Sequence, residues 1–101
     1  MIIYNTTYQI DPSVHDEALS WIKEELIPSL LSSSHLKNPR LVRVMSDDKS
    51  NNSYSLQFEV EDIASLNDWY KTCGASIYAA LTKKYGNNLL GFTTLLENIE
   101  L

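Results

Sequence analysis

The sequence is poor in basic residues, in glycine and above all in cysteine. It carries 8 Lys and Arg against 13 Asp and Glu, a formal net charge of −5, and no basic cluster. Proteins that grip phosphate backbones or anionic lipid draw much of their affinity from clustered Lys and Arg. No nucleic acid and no membrane surface is therefore an expected partner. The single cysteine, Cys73, excludes an intramolecular disulfide and fits a reducing compartment. The three glycines, Gly74, Gly86 and Gly91, do not form the Gly-rich loop that cradles a phosphate. No stretch approaches the roughly 18 consecutive apolar residues of a membrane span. The first residues alternate apolar and polar, with no Lys or Arg ahead of an apolar run, so no signal peptide is expected. The expected location is cytoplasmic.

What is present is a globular composition. Of 101 residues 44% are hydrophobic and 10% aromatic, which excludes disorder and predicts one domain spanning 1–101. A chain of this size hides only about 60–65% of the surface that its open form exposes. The core is expected to be thin, and a second subunit would help to cover it.

Residues 2–10 set the pattern for the rest. Ile2, Tyr4, Thr6, Tyr8 and Ile10 fall on one side, and Ile3, Asn5, Thr7 and Gln9 on the other, which is the period of a strand with one buried face. Asp11 stands where an N-cap belongs and Pro12 at the first helical position. The helix predicted over 12–31 places Val14, Ala18, Trp21, Ile22, Ile27, Leu30 and Leu31 toward the core, with Trp21 expected to be buried. Pro28 predicts a kink or an end, because it removes the bond to the carbonyl of Glu24. A second strand is predicted over 39–45, starting at Pro39 and so at a sheet edge. A polar loop follows over 46–52, then a third strand over 53–61, where Tyr54, Leu56, Phe58 and Val60 alternate with polar residues. Asp62 can cap a second helix that runs to Tyr85, with Gly86 as its terminator and Gly74 as a weak point within it. A fourth strand is predicted over 89–97.

The order βαββαβ predicts an α+β fold. Each strand-helix-strand crossover must be right-handed, and the two units interleave. The result is a ferredoxin-like, four-stranded antiparallel sheet in the order 4-1-3-2, with two helices on one face. The opposite face is then lined by Ile3, Asn5, Thr7, Gln9, Ser55, Gln57 and Glu59. If that face joins two copies, a wet interface with apolar contacts from Leu41, Met45 and Leu95 is expected.

Several strings carry a resemblance: Met1-Ile2-Ile3-Tyr4-Asn5, Val14-His15-Asp16-Glu17, Trp21 with Lys23-Glu24-Glu25, Ile27-Pro28, and Thr94-Leu95-Leu96-Glu97. Together they resemble a small bacterial family described only as a domain of unknown function, similar to the ferredoxin-like dimeric α/β-barrel group. The resemblance implies that fold and a homodimer. A histidine often precedes the Ile-Pro pair in the family pattern, and here that position is Leu26, so no functional histidine is carried over. Cofactor-free monooxygenases and heme-degrading enzymes of this fold group use a pocket between helices and sheet. The heme-degrading kind relies on an Asn of the first strand and on a Trp and a His of the long helix. Asn5 and Trp69 are similar to two of these, but 62–85 contains no histidine. Heme is not expected to bind, and no cofactor is expected.

The chemistry-bearing residues weigh as follows. His15 could act as an acid or base, but at a helix start beside Asp16 and Glu17 it reads as solvated. Metal sites need three or four converging ligands, and His15 stands alone in its stretch, so no metal is expected. Asp47, Asp48 and Asn51 lack the spacing of a calcium loop. Cys73 lies on the apolar stripe as a packing residue. Trp69, Tyr70 and Tyr78 are core, or else they line a pocket together with Asn5 and His15. The chain therefore reads as a non-catalytic binding or assembly module. The alternative is a small-molecule-binding protein or cofactor-free enzyme with a pocket between helices and sheet.

Overall fold

The structure, a computed structural model, describes residues 1–46 and 52–101. Asp47, Asp48 and Asn51 lie outside the described residues. Four strands, β1 (Ile2–Ile10), β2 (Lys37–Arg43), β3 (Ser53–Val60) and β4 (Leu89–Glu97), form one sheet in the order β2-β3-β1-β4. The pairs are antiparallel. This is the ferredoxin-like α+β arrangement that the sequence predicts, because 4-1-3-2 is the same order read from the other edge.

Two helical rods cover one face. The first opens with a 3-10 turn at Pro12–Val14 and continues through α1 (His15–Trp21), a π turn at Ile22–Leu26 and α2 (Ile27–Leu30). The second comprises α3 (Ile63–Trp69), a π turn at Tyr70–Gly74 and α4 (Ala75–Tyr85). The π turns answer the spacing of the apolar residues. Ala18, Ile22, Leu26 and Leu30, all buried, recur every fourth residue. In a plain α-helix such a row drifts by roughly 40° per step, and a turn with one extra residue brings it back under the core. The sequence reading placed Ile27 rather than Leu26 inward, because it assumed an unbroken 3.6-residue period. Pro28 needs no kink of its own, since it lies in the first turn of α2, directly after the π turn has rearranged the ladder. Gly74 closes the second π turn.

Asp11 and Asp62 act as predicted. Asp11 Oδ1 accepts from the Ser13 backbone N–H at 2.9 Å and Asp62 Oδ1 from that of Ser65 at 2.8 Å. The Ser13 hydroxyl, which also donates to Asp11 Oδ1 at 2.6 Å, and after it the Ser13 backbone N–H hold the Asp11 carboxyl below the usual range, and the Ser65 backbone N–H does the same for Asp62. Gly86 ends α4 at a φ of 54°, where a β-carbon would be strained.

β2 starts earlier than Pro39. Its register shifts between Lys37 and Arg40, with Asn38 at a positive φ and its side-chain amide bonded to Glu59. The bulge, the proline and the flanking cations protect this edge from further pairing.

The core lies between the rods and the even-numbered side of β1. Tyr4, Tyr8 and Ile10 meet Leu56, Phe58 and Val60 of β3 and Trp69, Leu81 and Tyr85 of the second rod. Trp69 is fully buried, and its indole N–H donates to the carbonyl of Leu30 at 3.3 Å, tying one rod to the other. Trp21, expected to be buried, is only half-buried, edge-on to Tyr85 at a centroid distance of 5.5 Å.

The opposite sheet face is uncovered. At its centre Asn5 and Ser55 are buried and bonded to each other. Val42, Phe92 and Leu96 are exposed at its flanks. Leu41 and Leu95 do not contribute there: they pair with Leu56 and Tyr4, which puts them on the helix side.

Candidate functional site

The rods do not reach across the whole sheet. Every residue of β4 after Leu89 is exposed, and the step between α4 and β4 opens a cleft of about 460 Å3. β1 supplies its floor through Tyr4, Thr6 and Tyr8; the second rod supplies Tyr70, Tyr78 and Leu81; β4 supplies Gly91 and Thr93. The placement follows from parity. Tyr4, Thr6 and Tyr8 are alternate residues of one strand, and register sets Thr93 opposite Thr6 and Gly91 opposite Tyr8.

Gly91 is required for this shape. A β-carbon there would come within 2.9 Å of the Tyr8 ring. Glycine therefore leaves the room that the Tyr8 ring occupies beside β4.

The polar chemistry of the cleft is hydroxylic. The Tyr4 and Tyr78 hydroxyls share a hydrogen bond of 2.5 Å, and those of Thr6 and Thr93 lie 3.3 Å apart. Burial pushes the Tyr78 phenol far above its ordinary value, the phenols of Tyr8 and Tyr4 push it further, and Thr6 offsets only a little. Burial likewise raises Tyr8, with Tyr4 adding to the shift. Tyr78 and Thr6 lie close enough to lower it slightly, yet neither meets hydrogen-bond geometry. The Tyr8 hydroxyl is left buried with no partner among the described residues. Phenols held this far above neutrality stay protonated, so they can donate hydrogen bonds but cannot act as bases or nucleophiles. None of the described residues lining the cleft carries a charge.

The residues singled out from sequence divide. Tyr70 and Tyr78 line the cleft. Trp69 stands behind its wall as the hub of an aromatic cluster, with ring centroids 5.4 Å from Tyr4 and 6.1 Å from Tyr78. Asn5 is on the other face of the sheet, where odd-numbered residues of β1 must point. His15 is remote from the cleft and is not merely solvated. Its Nδ1 meets Asp16 at 2.8 Å and its Nε2 meets the Tyr54 hydroxyl at 2.7 Å. A carboxylate can only accept, so Nδ1 carries a proton and donates to Asp16, while Nε2 and the Tyr54 hydroxyl share the second bond. This ties the helix start to β3. Cys73 is half-buried against the core, 3.5 Å from the carbonyl of Trp69. Tyr4, Thr6, Tyr8 and Thr93 were missed as site residues. Alternation put Tyr4 and Tyr8 on the helix side, but only the tertiary structure reveals that the helices stop short of the neighbouring β4 and leave a cleft beside them.

Comparison with known proteins places the chain. Residues 1–99 match one family, described as a domain of unknown function, DUF4286. This chain belongs to that family. No curated protein matches the DUF4286 chain in sequence. Solved structures match it in fold. An ethyl tert-butyl ether d (ethd) family protein from Bacillus halodurans has a TM-score of 0.73 at 14% identity, over 98% of this chain and 100% of that one. An antibiotic biosynthesis monooxygenase has a TM-score of 0.70 at 18% identity, over 99% and 100%. A dimeric ferredoxin-like protein from an uncultured marine organism has a TM-score of 0.62 at 13% identity, over 99% and 97%. At these identities the likeness is one of fold, and fold does not fix activity. Among the described residues of the DUF4286 chain, no helix is long and apolar enough to cross a membrane.

Proposed function

We propose that this DUF4286 protein is a cytoplasmic small-molecule-binding protein that holds its ligand in the cleft between α4 and the β1–β4 pair. The observation that carries the reading is the cleft itself, about 460 Å3, lined by tyrosine rings, leucines and the hydroxyl-bearing Thr6, Thr82 and Thr93. Apolar walls with a few convergent polar groups are what small-molecule sites require. Binding stands ahead of catalysis, because among the described residues lining the cleft there is no general base or activated nucleophile. A cofactor-free enzyme is the second reading, favoured by the name of the monooxygenase that shares the fold. Nucleic acid and membrane are not partners in either reading.

The test is a fragment screen read by amide chemical shifts of labelled protein. Fragments are expected to move the resonances of Tyr8, Tyr78 and Gly91 together. A library that moves none of them, or that moves only residues of the open sheet face, would overturn the reading.

The same protein is proposed to act as a homodimer. The bare sheet face, with Val42, Phe92 and Leu96 exposed around a buried Asn5–Ser55 pair, supports this, as does the dimeric ferredoxin-like protein of the same fold.

A further inference from the structure

We infer that β4 and the groove at its C-terminal end form a docking surface for an extended segment of another protein, apolar along its length and led by Lys or Arg. The inference is independent of the cleft, and three observations support it. The first is the free edge. β4 pairs with β1 through nine residues without a register shift, and among the described residues no strand pairs with its outer edge. That edge carries no charge from Leu89 to Leu96, whereas the β2 edge has its bulge, Pro39 and flanking cations. The unpaired N–H and C=O groups of such an edge are a template for an added strand. The second is an apolar groove of about 770 Å3, where Ile2, Ile63, Ala64 and Leu95 line the gap between the end of β4 and the first turn of α3. Ile63 and Leu95 are 47% and 46% exposed, which leaves apolar surface for the side chains of an added strand to cover. The third is charge. Glu61, Asp62 and Glu97 rim the groove, no Lys or Arg lines it, and none of the three has an ion-pair partner among the described residues. The Met1 amine acts on Asp62 only as the weakest of the influences on that carboxyl. A second copy of β4 would not supply the missing cations, because the strand holds no Lys or Arg and ends on Glu97. A homodimer through the open sheet face leaves the helix side of β4 uncovered. Antiparallel pairing, the rule throughout this sheet and the more stable kind, brings the N-terminus of the added strand to Glu97, so the cations stand there.

The probe is an acetylated and amidated peptide, Lys-Lys-Val-Thr-Val-Thr-Val-Thr, titrated at neutral pH against the full chain and read by amide shifts. It is expected to move the resonances of Ile63, Thr94, Leu95 and Leu96. It is expected to bind about 3–10-fold more tightly than the same peptide with Glu-Glu in place of Lys-Lys, or with the lysines moved to its C-terminus, the worth of a few exposed ion pairs. The double variant Glu61→Lys, Glu97→Lys is expected to lose that preference. N-methylation of one alternate set of amides, the valines or the threonines, is expected to abolish binding and N-methylation of the other to leave it, because successive N–H groups of a strand point to opposite edges. Equal binding of the three peptides, a lysine preference that survives the double variant, or two N-methylated sets with the same effect would overturn the inference. So would shifts confined to the β2 edge or the open sheet face, or no binding at millimolar peptide. Contacts between the β4 strands of two copies, seen as intermolecular nuclear Overhauser effects in a mixed-label sample of the protein alone, would assign the edge to a second copy and overturn it as well.

Discussion

Trp69 and Trp21 are separated by what surrounds them. Trp69 is fully buried and bonded to Leu30, Trp21 is half-buried, and His15 makes two hydrogen bonds at a partly open site. Trp69→Ala is therefore expected to destabilise by about 3–5 kcal/mol, Trp21→Ala by about 1–3 kcal/mol, and His15→Ala by about 1 kcal/mol. Urea melts of the three variants measure the order, and a His15 variant worse than Trp69→Ala would refute these burial assignments. Tyr78 gives a prediction in pH. Its phenol is raised by burial and by its phenol neighbours, so the unfolded chain releases this proton first, above about pH 10. Stability is then unaffected below about pH 10 and falls as pH rises beyond it, by up to about 1.4 kcal/mol per pH unit for one such group. Tyr78→Phe is expected to lose stability less steeply than the wild type in urea melts between about pH 9 and 11. Equal slopes would show that the phenol is not held neutral by the fold.

At the scale of the element, the second π turn sets two opposing effects against each other at Gly74. Alanine normally stabilises a helix interior by about 1 kcal/mol over glycine. Here its β-carbon would come within 2.7 Å of the Trp69 ring, closer than a buried indole with a bonded N–H can yield. Overpacking costs about 1–3 kcal/mol and wins. Gly74→Ala is expected to lower the thermal midpoint, and a raised midpoint would mean that the ring is free to move. The helix itself was legible from Asp62, the apolar stripe and Gly86. The π turns were written in the same residues, as fourth-residue spacings too regular for a 3.6-residue period, but a reading that assumes that period spreads them over neighbouring positions.

At the scale of the whole molecule the two edges of the sheet differ. β2 carries a bulge, a proline and cations, whereas β4 presents Leu89 to Leu96 without one charge. An exposed apolar strand of that kind calls for cover. Sedimentation is expected to show a dimer at micromolar concentration, and Phe92→Glu is expected to shift it to the monomer by placing a charge on the open face. A wild-type protein that sediments as a monomer at high micromolar concentration would remove the homodimer.

The sequence by itself determined the strand and helix order, the antiparallel sheet and the face of each residue on β1, because alternation, caps and crossover handedness are local or topological constraints. It also determined the absence of a basic surface. What only the tertiary structure decided is where the helices end relative to β4. That offset depends on how both rods settle on a twisted sheet, with Trp69 bonded to Leu30 and Gly91 beneath Tyr8. It opens a cleft beside Tyr4, Tyr8 and Tyr78, which stay packed in or against the core and line the cleft at its edge.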